Sequence, residues 1–154
     1  GRLILVADNE GLTHLMLANS DLAAAGLDAD DVPERADDPV LAEAAAQLDQ
    51  YFAGQRTAFD LPLDPQGTEF ELDAWMALAR IPYGETISYG EQSRAIGREG
   101  AFRAVGSANG RNPIAIILPC HRVVGADGTL VGFGGGLDVK RALLDLESGV
   151  QRLF

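Results

Sequence analysis

The chain has 154 residues, 47% of them hydrophobic, which suits one compact unit or two small subdomains sharing a core. No apolar run approaches the length that spans a bilayer and no basic-then-apolar signal opens the chain, so a soluble, cytoplasmic protein without membrane contact is expected. A single cysteine excludes an internal disulfide and fits a reducing compartment, while the net charge of −11 argues at first sight against a nucleic-acid partner.

The charge is uneven, and this answers much of that objection. Residues 1–65 hold 13 acids and 3 bases, whereas residues 66–154 hold 10 acids and 9 bases. Between Arg94 and Arg141, 7 bases stand against 3 acids, so the acidic chain has room for a locally basic surface. Lys140 is the only lysine among the 12 bases; a salt-adapted source and a GC-rich genome both produce that bias.

Arg2 to Val6 reads as a strand, Ala7 to Gly11 as a turn and Leu12 to Ala18 as a second strand, which makes a hairpin. His14, on the second strand, has no cysteine near it and only one fellow histidine, so it is read as structural or exposed and no metal is expected. The acidic stretch Asp21 to Asp38 reads as a solvated loop or short helix. Asp38 then caps a helix started by Pro39, with Leu41, Ala44, Ala45, Leu48 and Phe52 at helical spacing and Gly54 as the stop. Thr57 to Leu63 alternates as a third strand, and Asp64-Pro65-Gln66-Gly67 is the expected boundary between domains at 1–65 and 66–154.

From Thr68 to Arg80 the apolar positions Phe70, Leu72, Trp75, Met76, Leu78 and Ala79 predict a substantially buried helix, ended by Ile81-Pro82-Tyr83-Gly84. Ser88 caps a second helix running through Ile96, Gly97 turns the chain, and a third helix covers about Gly100 to Asn109. Two short helices with a glycine between them form a candidate helix-turn-helix. Ala101, Ala104, Gly106, Ser107 and Ala108 are small and allow close backbone approach, with Arg103 standing among them.

The apolar run Ile114 to Leu118 leads, as a strand, into Pro119 and the one cysteine, Cys120, on a constrained turn. A lone cysteine is usually a small buried hydrophobe. Here His121 follows and can take the thiol proton directly or through water, and Arg122 next to it favours the thiolate, which is the nucleophile. A third group is needed to orient the imidazole, and Glu147, late in the helical segment Leu137 to Glu147, is the chosen carboxylate, although periodicity does not separate it from Asp145.

Pro119-Cys120-His121-Arg122-Val123-Val124 resembles the Pro-Cys-His-Arg-Val signature of the O6-alkylguanine-DNA alkyltransferases. The resemblance extends over roughly Phe70 to Glu147 in unbroken register: Ile81-Pro82-Tyr83-Gly84, Ser88-Tyr89, Arg103-Ala104-Val105-Gly106, Asn112-Pro113, Gly134-Gly135-Gly136, and Leu143-Leu144 with Glu147. It implies an α/β (α+β) fold, with a small ribonuclease-H-like N-terminal subdomain and a winged-helix-like helix-turn-helix C-terminal domain that binds DNA and carries the active site. Under it the chain is a DNA-repair protein that moves the alkyl group of O6-alkylguanine, with O4-alkylthymine a further candidate, from duplex DNA to Cys120 in one irreversible turnover. Cys120, His121, Glu147, Asn112 and Tyr89 are the implied catalytic set. Arg103 is the implied finger that replaces the flipped base, with Tyr89, Ala101, Ala104, Gly106, Arg111 and Arg122 on the DNA. The resemblance also implies that the second helix of the pair enters the minor groove and that Val123, Phe133, Gly134, Gly135 and Gly136 line the guanine pocket. The resemblance implies no cofactor, no metal and a monomer.

Three positions depart from the family pattern. Phe102 replaces a small residue on the groove-facing helix, where it either faces the core or wedges into the duplex, and Phe133 and Gly134 stand where tyrosine and serine are common. Two rival readings remain: a binding module that marks alkylated bases without repairing them, and a thiol hydrolase using Cys120 and His121 for acyl transfer.

Overall fold

The computed structural model describes residues 3–17, 37–130 and 136–149. The chain divides into two compact units, residues 1–66 and 67–154. Among the described residues no helix is long and apolar enough to cross a membrane.

In the first unit β1 (Leu3–Ala7) and β2 (Leu12–Leu17) pair antiparallel, with a register shift between Val6 and Ala7. The turn is closed by Asp8, whose carboxylate accepts from the N–H groups of Glu10 and Gly11. The expected strands start at Arg2 and end at Ala18, both outside the described residues, as is the acidic stretch from Asp21 to residue 36. Helix α1 (Pro39–Phe52) begins as the sequence predicts: Asp38 accepts from the N–H groups of Val40 and Leu41, and Pro39 supplies a preset φ at no hydrogen-bond cost. Its buried stripe differs from the expected one. Ala44, Gln47, Leu48 and Tyr51 face inward, whereas Ala45 is exposed and Phe52 is 45% exposed.

Gln47 is buried because its amide serves the backbone of the next segment, donating to the Asp60 carbonyl at 3.0 Å and accepting from the Asp60 N–H at 2.9 Å. That same contact overturns the third strand expected at Thr57 to Leu63. The segment takes its backbone bonds from side chains, Gln47 at Asp60 and Arg56 at the Ala58 carbonyl, and adds to β2 through a single parallel bridge between Leu12 and Leu63. Gly11 permits that approach, since a β-carbon there would lie 2.5 Å from the Pro62 carbonyl oxygen. His14 is half-buried, with Nδ1 2.9 Å from the Thr13 hydroxyl.

The second unit opens with α2 (Glu69–Leu78), capped by Thr68 and Glu71 in a reciprocal capping box. Trp75 is core: its ring is buried and Nε1–H donates to the Ala108 carbonyl at 2.8 Å. Met76 and Ala79, expected inside, face outward because Ala74, Trp75, Ala77 and Leu78 already fill the buried stripe. A second capping box, Ser88 with Glu91, starts α3 (Tyr89–Ala95), immediately after the two-residue strand β3 (Ile87–Ser88). Gly97, at φ +72°, carries the turn, and α4 (Phe102–Gly110) follows.

The helix pair is joined by a buried double amide bond. Gln92 Nε2 donates to Asn109 Oδ1 at 2.9 Å, and Asn109 Nδ2 returns a bond to Gln92 Oε1 at 2.8 Å. Gln92 also donates to the Ala74 carbonyl, so α2, α3 and α4 meet at one residue. After α4 comes a turn-rich loop, a 3-10 turn at Cys120–Arg122, strand β4 (Val123–Val124) paired parallel to β3, and α5 (Leu137–Ser148).

Candidate active site

The segment before the cysteine is not a strand. Ile114 to Leu118 folds back on itself: the Leu118 N–H reaches the Ile114 carbonyl at 2.9 Å, and Ile116 sits at φ +72°. A β-branched residue in that region is strained, at a cost of about 1–3 kcal/mol, and must be held there by its surroundings. Asn112 does the holding. Its Nδ2 donates to the Leu118 carbonyl at 2.7 Å and its Oδ1 accepts from the Ile114 N–H at 3.0 Å, so one amide ties both ends of the loop just after α4. Apolar side chains alone would have made this run a strand; the asparagine makes it a turn that delivers Cys120.

Cys120 is partly exposed, at the start of the 3-10 turn. That turn resolves the objection that neighbours on a strand face opposite ways, because the Arg122 N–H bonds the Pro119 carbonyl and the chain curls between Cys120 and His121. His121 is 0% exposed, with Nε2 2.6 Å from Glu147 Oε2. A carboxylate only accepts, so Nε2 carries the proton and Nδ1 keeps the lone pair. Nδ1 is buried and has no protein partner among the described residues. Burial holds the imidazole below its ordinary pKa, against the upward pull of Glu147, so the ring is neutral near pH 7 and able to accept a proton.

Of the two late carboxylates, it is Glu147 that lies buried on the last turn of α5 and reaches His121. It also binds Arg122 twice, Nε to Oε1 at 2.7 Å and Nη2 to Oε2 at 3.0 Å. The remaining Arg122 arm donates to the Ile81 carbonyl at 2.7 Å, and the guanidinium stands 5.7 Å from the Tyr83 ring centroid. Arg122 is therefore 6% exposed and committed to Glu147. This corrects two expectations: it is not on a DNA-facing surface, and it is not the charge that favours the thiolate. An adjacent position in sequence gave it neither role, because the 3-10 turn sends it towards α5.

The cation in the field of the thiol is Lys140, which sequence reasoning passed over as a compositional oddity. It is 0% exposed, and Nζ donates to the Val123 carbonyl at 2.7 Å. A buried lysine is rare enough that its place on the inner face of α5, one turn before Leu143 and two before Glu147, was the available signal. Burial raises the Cys120 pKa, while a hydrogen bond from Asn112 and the charge of Lys140 lower it. Burial wins, so the resting thiol holds its proton more firmly than a free cysteine does, contrary to the expectation drawn from its basic neighbours.

Tyr89, the first residue of α3, is half-buried beside this group. Burial and the nearby Cys120 push its hydroxyl above the usual tyrosine range, which keeps it a proton donor. Its ring lies against α4, where a β-carbon on Gly106 would be 3.6 Å from it. On α4 itself Arg103 and Ala104 are exposed and Ala101 half-buried at the cap. Arg111 is exposed but tied to Glu71 Oε2 and Ser107 Oγ, both at 2.6 Å. Val123 is buried in β4, and Gly136, at φ +97°, caps α5. Phe133, Gly134 and Gly135 lie outside the described residues. Among the described residues no group of three or more His, Cys, Asp or Glu side chains is placed to hold a metal ion.

A helix-turn-helix pair followed by a partly exposed cysteine beside a buried histidine–glutamate pair is the arrangement of a candidate nucleic-acid-binding protein with a candidate nucleophile. Residues 69–149 match the 6-O-methylguanine DNA methyltransferase DNA-binding domain, and residues 1–65 match the ribonuclease-like domain of the same protein. The methylated-DNA–protein-cysteine methyltransferase of Mycobacterium leprae is 51% identical over 147 residues, covering 96% of this chain and 86% of that one. That of Methanosarcina acetivorans is 48% identical, covering 96% and 92%. Among solved structures, Mycobacterium tuberculosis OGT in complex with DNA superposes with a TM-score of 0.84 at 49% identity, over 96% of this chain and 87% of that one. The chain belongs to the 6-O-methylguanine DNA methyltransferase family, with a ribonuclease-like N-terminal domain and a helix-turn-helix DNA-binding C-terminal domain.

Proposed function

We propose that this chain repairs O6-alkylguanine in duplex DNA by direct reversal, taking the alkyl group onto its own Cys120. The enzyme class, a methylated-DNA–protein-cysteine methyltransferase, is that of its family. The observation that carries the residue assignment is the buried His121–Glu147 pair next in sequence to the partly exposed Cys120, with a free lone pair on a neutral buried imidazole.

The target carbon is hidden in a stacked duplex, so the nucleotide must be rotated out of the helix. Arg103, exposed on α4, fills the gap, and Ala101, Ala104 and Gly106 let the helix approach the backbone closely. Arg111 contacts DNA only by exchanging Glu71 for a phosphate. His121 Nδ1 takes the thiol proton through a water. The Cys120 sulfur attacks the alkyl carbon, a C–S bond forms as the carbon–O6 bond breaks, and the electron pair leaves with guanine. Tyr89 protonates the departing base and is itself reprotonated from His121, so the thiol proton ends on guanine. Lys140 stabilises the transient thiolate, and Asn112 holds the loop in register. The Val123 carbonyl, with the loop at Phe133, Gly134, Gly135 and Gly136, forms the guanine pocket.

A thioether has no leaving group that these residues can activate, so each molecule acts once; the same reading takes the chain as a monomer that needs no cofactor. The chemistry belongs to residues 66–154, and residues 1–65 serve as an acidic structural subdomain. Intact-protein mass spectrometry after incubation with an O6-methylguanine duplex tests the reading. One added methyl on the unaltered chain and none on Cys120→Ser is expected; release of methylated product over many turnovers, or methyl gain by Cys120→Ser, would refute it.

A further inference from the structure

We infer that Phe102 is an apolar wedge that enters the duplex beside the extruded nucleotide, so that α4 opens the base stack with a phenyl ring as well as with Arg103. The inference rests on the repair reading above and names how the stack is opened.

Phe102 is 51% exposed, the most exposed of the four large apolar side chains that stand out from the described residues. Helix α4 does not need the ring for packing, because its inner face is complete with Val105, Ala108 and Asn109. Around the ring the outer face is low: Ala104, Ser107 and Gly110 are exposed and small, so Phe102 and Arg103 are the two groups that project. Phe102 also lies one turn before Gly106, the residue against which the Tyr89 ring packs. On a helix, positions i and i+4 share a face, so the phenyl group rises on the edge of α4 nearest Tyr89, which itself lies in the field of Cys120.

A single projecting ring on a low surface is a poor protein-docking site, which needs a contiguous patch of several hundred Å². It suits a base stack. Proteins that act from the minor groove insert phenylalanine or leucine between base steps and unstack them, and a base–aromatic contact is sequence-tolerant because every base has a π-face. Arginine alone fills the hole left by a rotated nucleotide; a phenyl ring next to it also covers the face of the neighbouring base, which would otherwise be exposed to water. The benefit applies only where there is a stack to open.

The test is the single-turnover transfer rate from one O6-methylguanine oligonucleotide, presented paired and unpaired, to the full chain and to its Phe102→Ala and Phe102→Leu variants. The ratio of duplex to single-strand rates is expected to fall by about ten-fold for alanine, the scale of one lost base–aromatic contact, and by less for leucine, which can still wedge. The fluorescence of 2-aminopurine placed beside the lesion should rise on binding the unaltered chain and rise less with Phe102→Ala. A ratio within two-fold of the unaltered chain, or equal slowing on both substrates, overturns the wedge. Failure of the unaltered chain to accept methyl from either substrate overturns the repair reading itself.

Discussion

The two units hide different things. Among the described residues of the first, the buried polar side chains are Thr13 and Gln47, both neutral; among those of the second they are His121, Arg122, Lys140 and Glu147, together with Gln92, Ser93 and Asn109. Removing a charge from water is costly unless it is paired and hydrogen-bonded, and a hydrophobic replacement is often no less stable. A cluster of that kind is poor economy for folding alone, and its members converge on the loop that presents Cys120. The described residues of the first unit form a hairpin, a helix, and an amide that satisfies a stretch of backbone.

This contrast can be broken most sharply at the imidazole. His121→Ala should slow methyl transfer to Cys120 by about 10²–10⁴-fold, the usual contribution of a positioned general base, read by quenched-flow labelling. A pH effect accompanies it. The folded His121 pKa lies below its unfolded value, so the unfolded chain binds the extra proton first. Stability is therefore full above the unfolded value of about 6.5 and is lost as pH falls through it towards the lower folded one. Urea midpoints across that window should show a slope that His121→Ala removes.

Glu147→Gln leaves the Arg122 guanidinium buried without an anion, and should destabilise the second unit by about 3–5 kcal/mol in urea unfolding. The buried amides distinguish charge from polarity. Gln92→Leu strands the Asn109 amide and should cost about 1–3 kcal/mol, whereas Gln92→Leu with Asn109→Leu should recover most of that, because neither amide is then left unpaired and only the side-chain bond to the Ala74 carbonyl stays lost. A double variant as unstable as the single would mean that the amide pair sets the angle between α3 and α4 rather than merely satisfying itself. The smallest effect is expected at the first unit's helix cap, where Asp38→Ala should cost about 1 kcal/mol by thermal melting.

The features legible in the sequence are those whose partners lie within a few residues. Asp38 and Pro39 start α1 and Ser88 opens α3, because a capping oxygen needs only the N–H groups two or three positions on; the Thr68 cap of α2 is just as local. The helix-turn-helix pair was legible for the same reason, and the cysteine motif pointed to the family because a five-residue signature stands with six further blocks in order. The strand expected at Thr57 to Leu63 failed because alternation predicts a pleated face and says nothing about a glutamine on α1 that takes the backbone instead. The run before Pro119 failed in the same way, its bonds being taken by Asn112.

Local spacing marked Cys120 and His121 as the candidate nucleophile and base and laid out the helix pair, since each is written in neighbouring positions, and the class of reaction came with the family resemblance. The tertiary structure decided where the charges go. It turned Arg122 inward to Glu147, brought Lys140 from α5 to the Val123 carbonyl within the field of the thiol, and left Phe102 projecting from α4. Electrostatic energy depends on distance and burial in space, and neither can be read from separation along the chain.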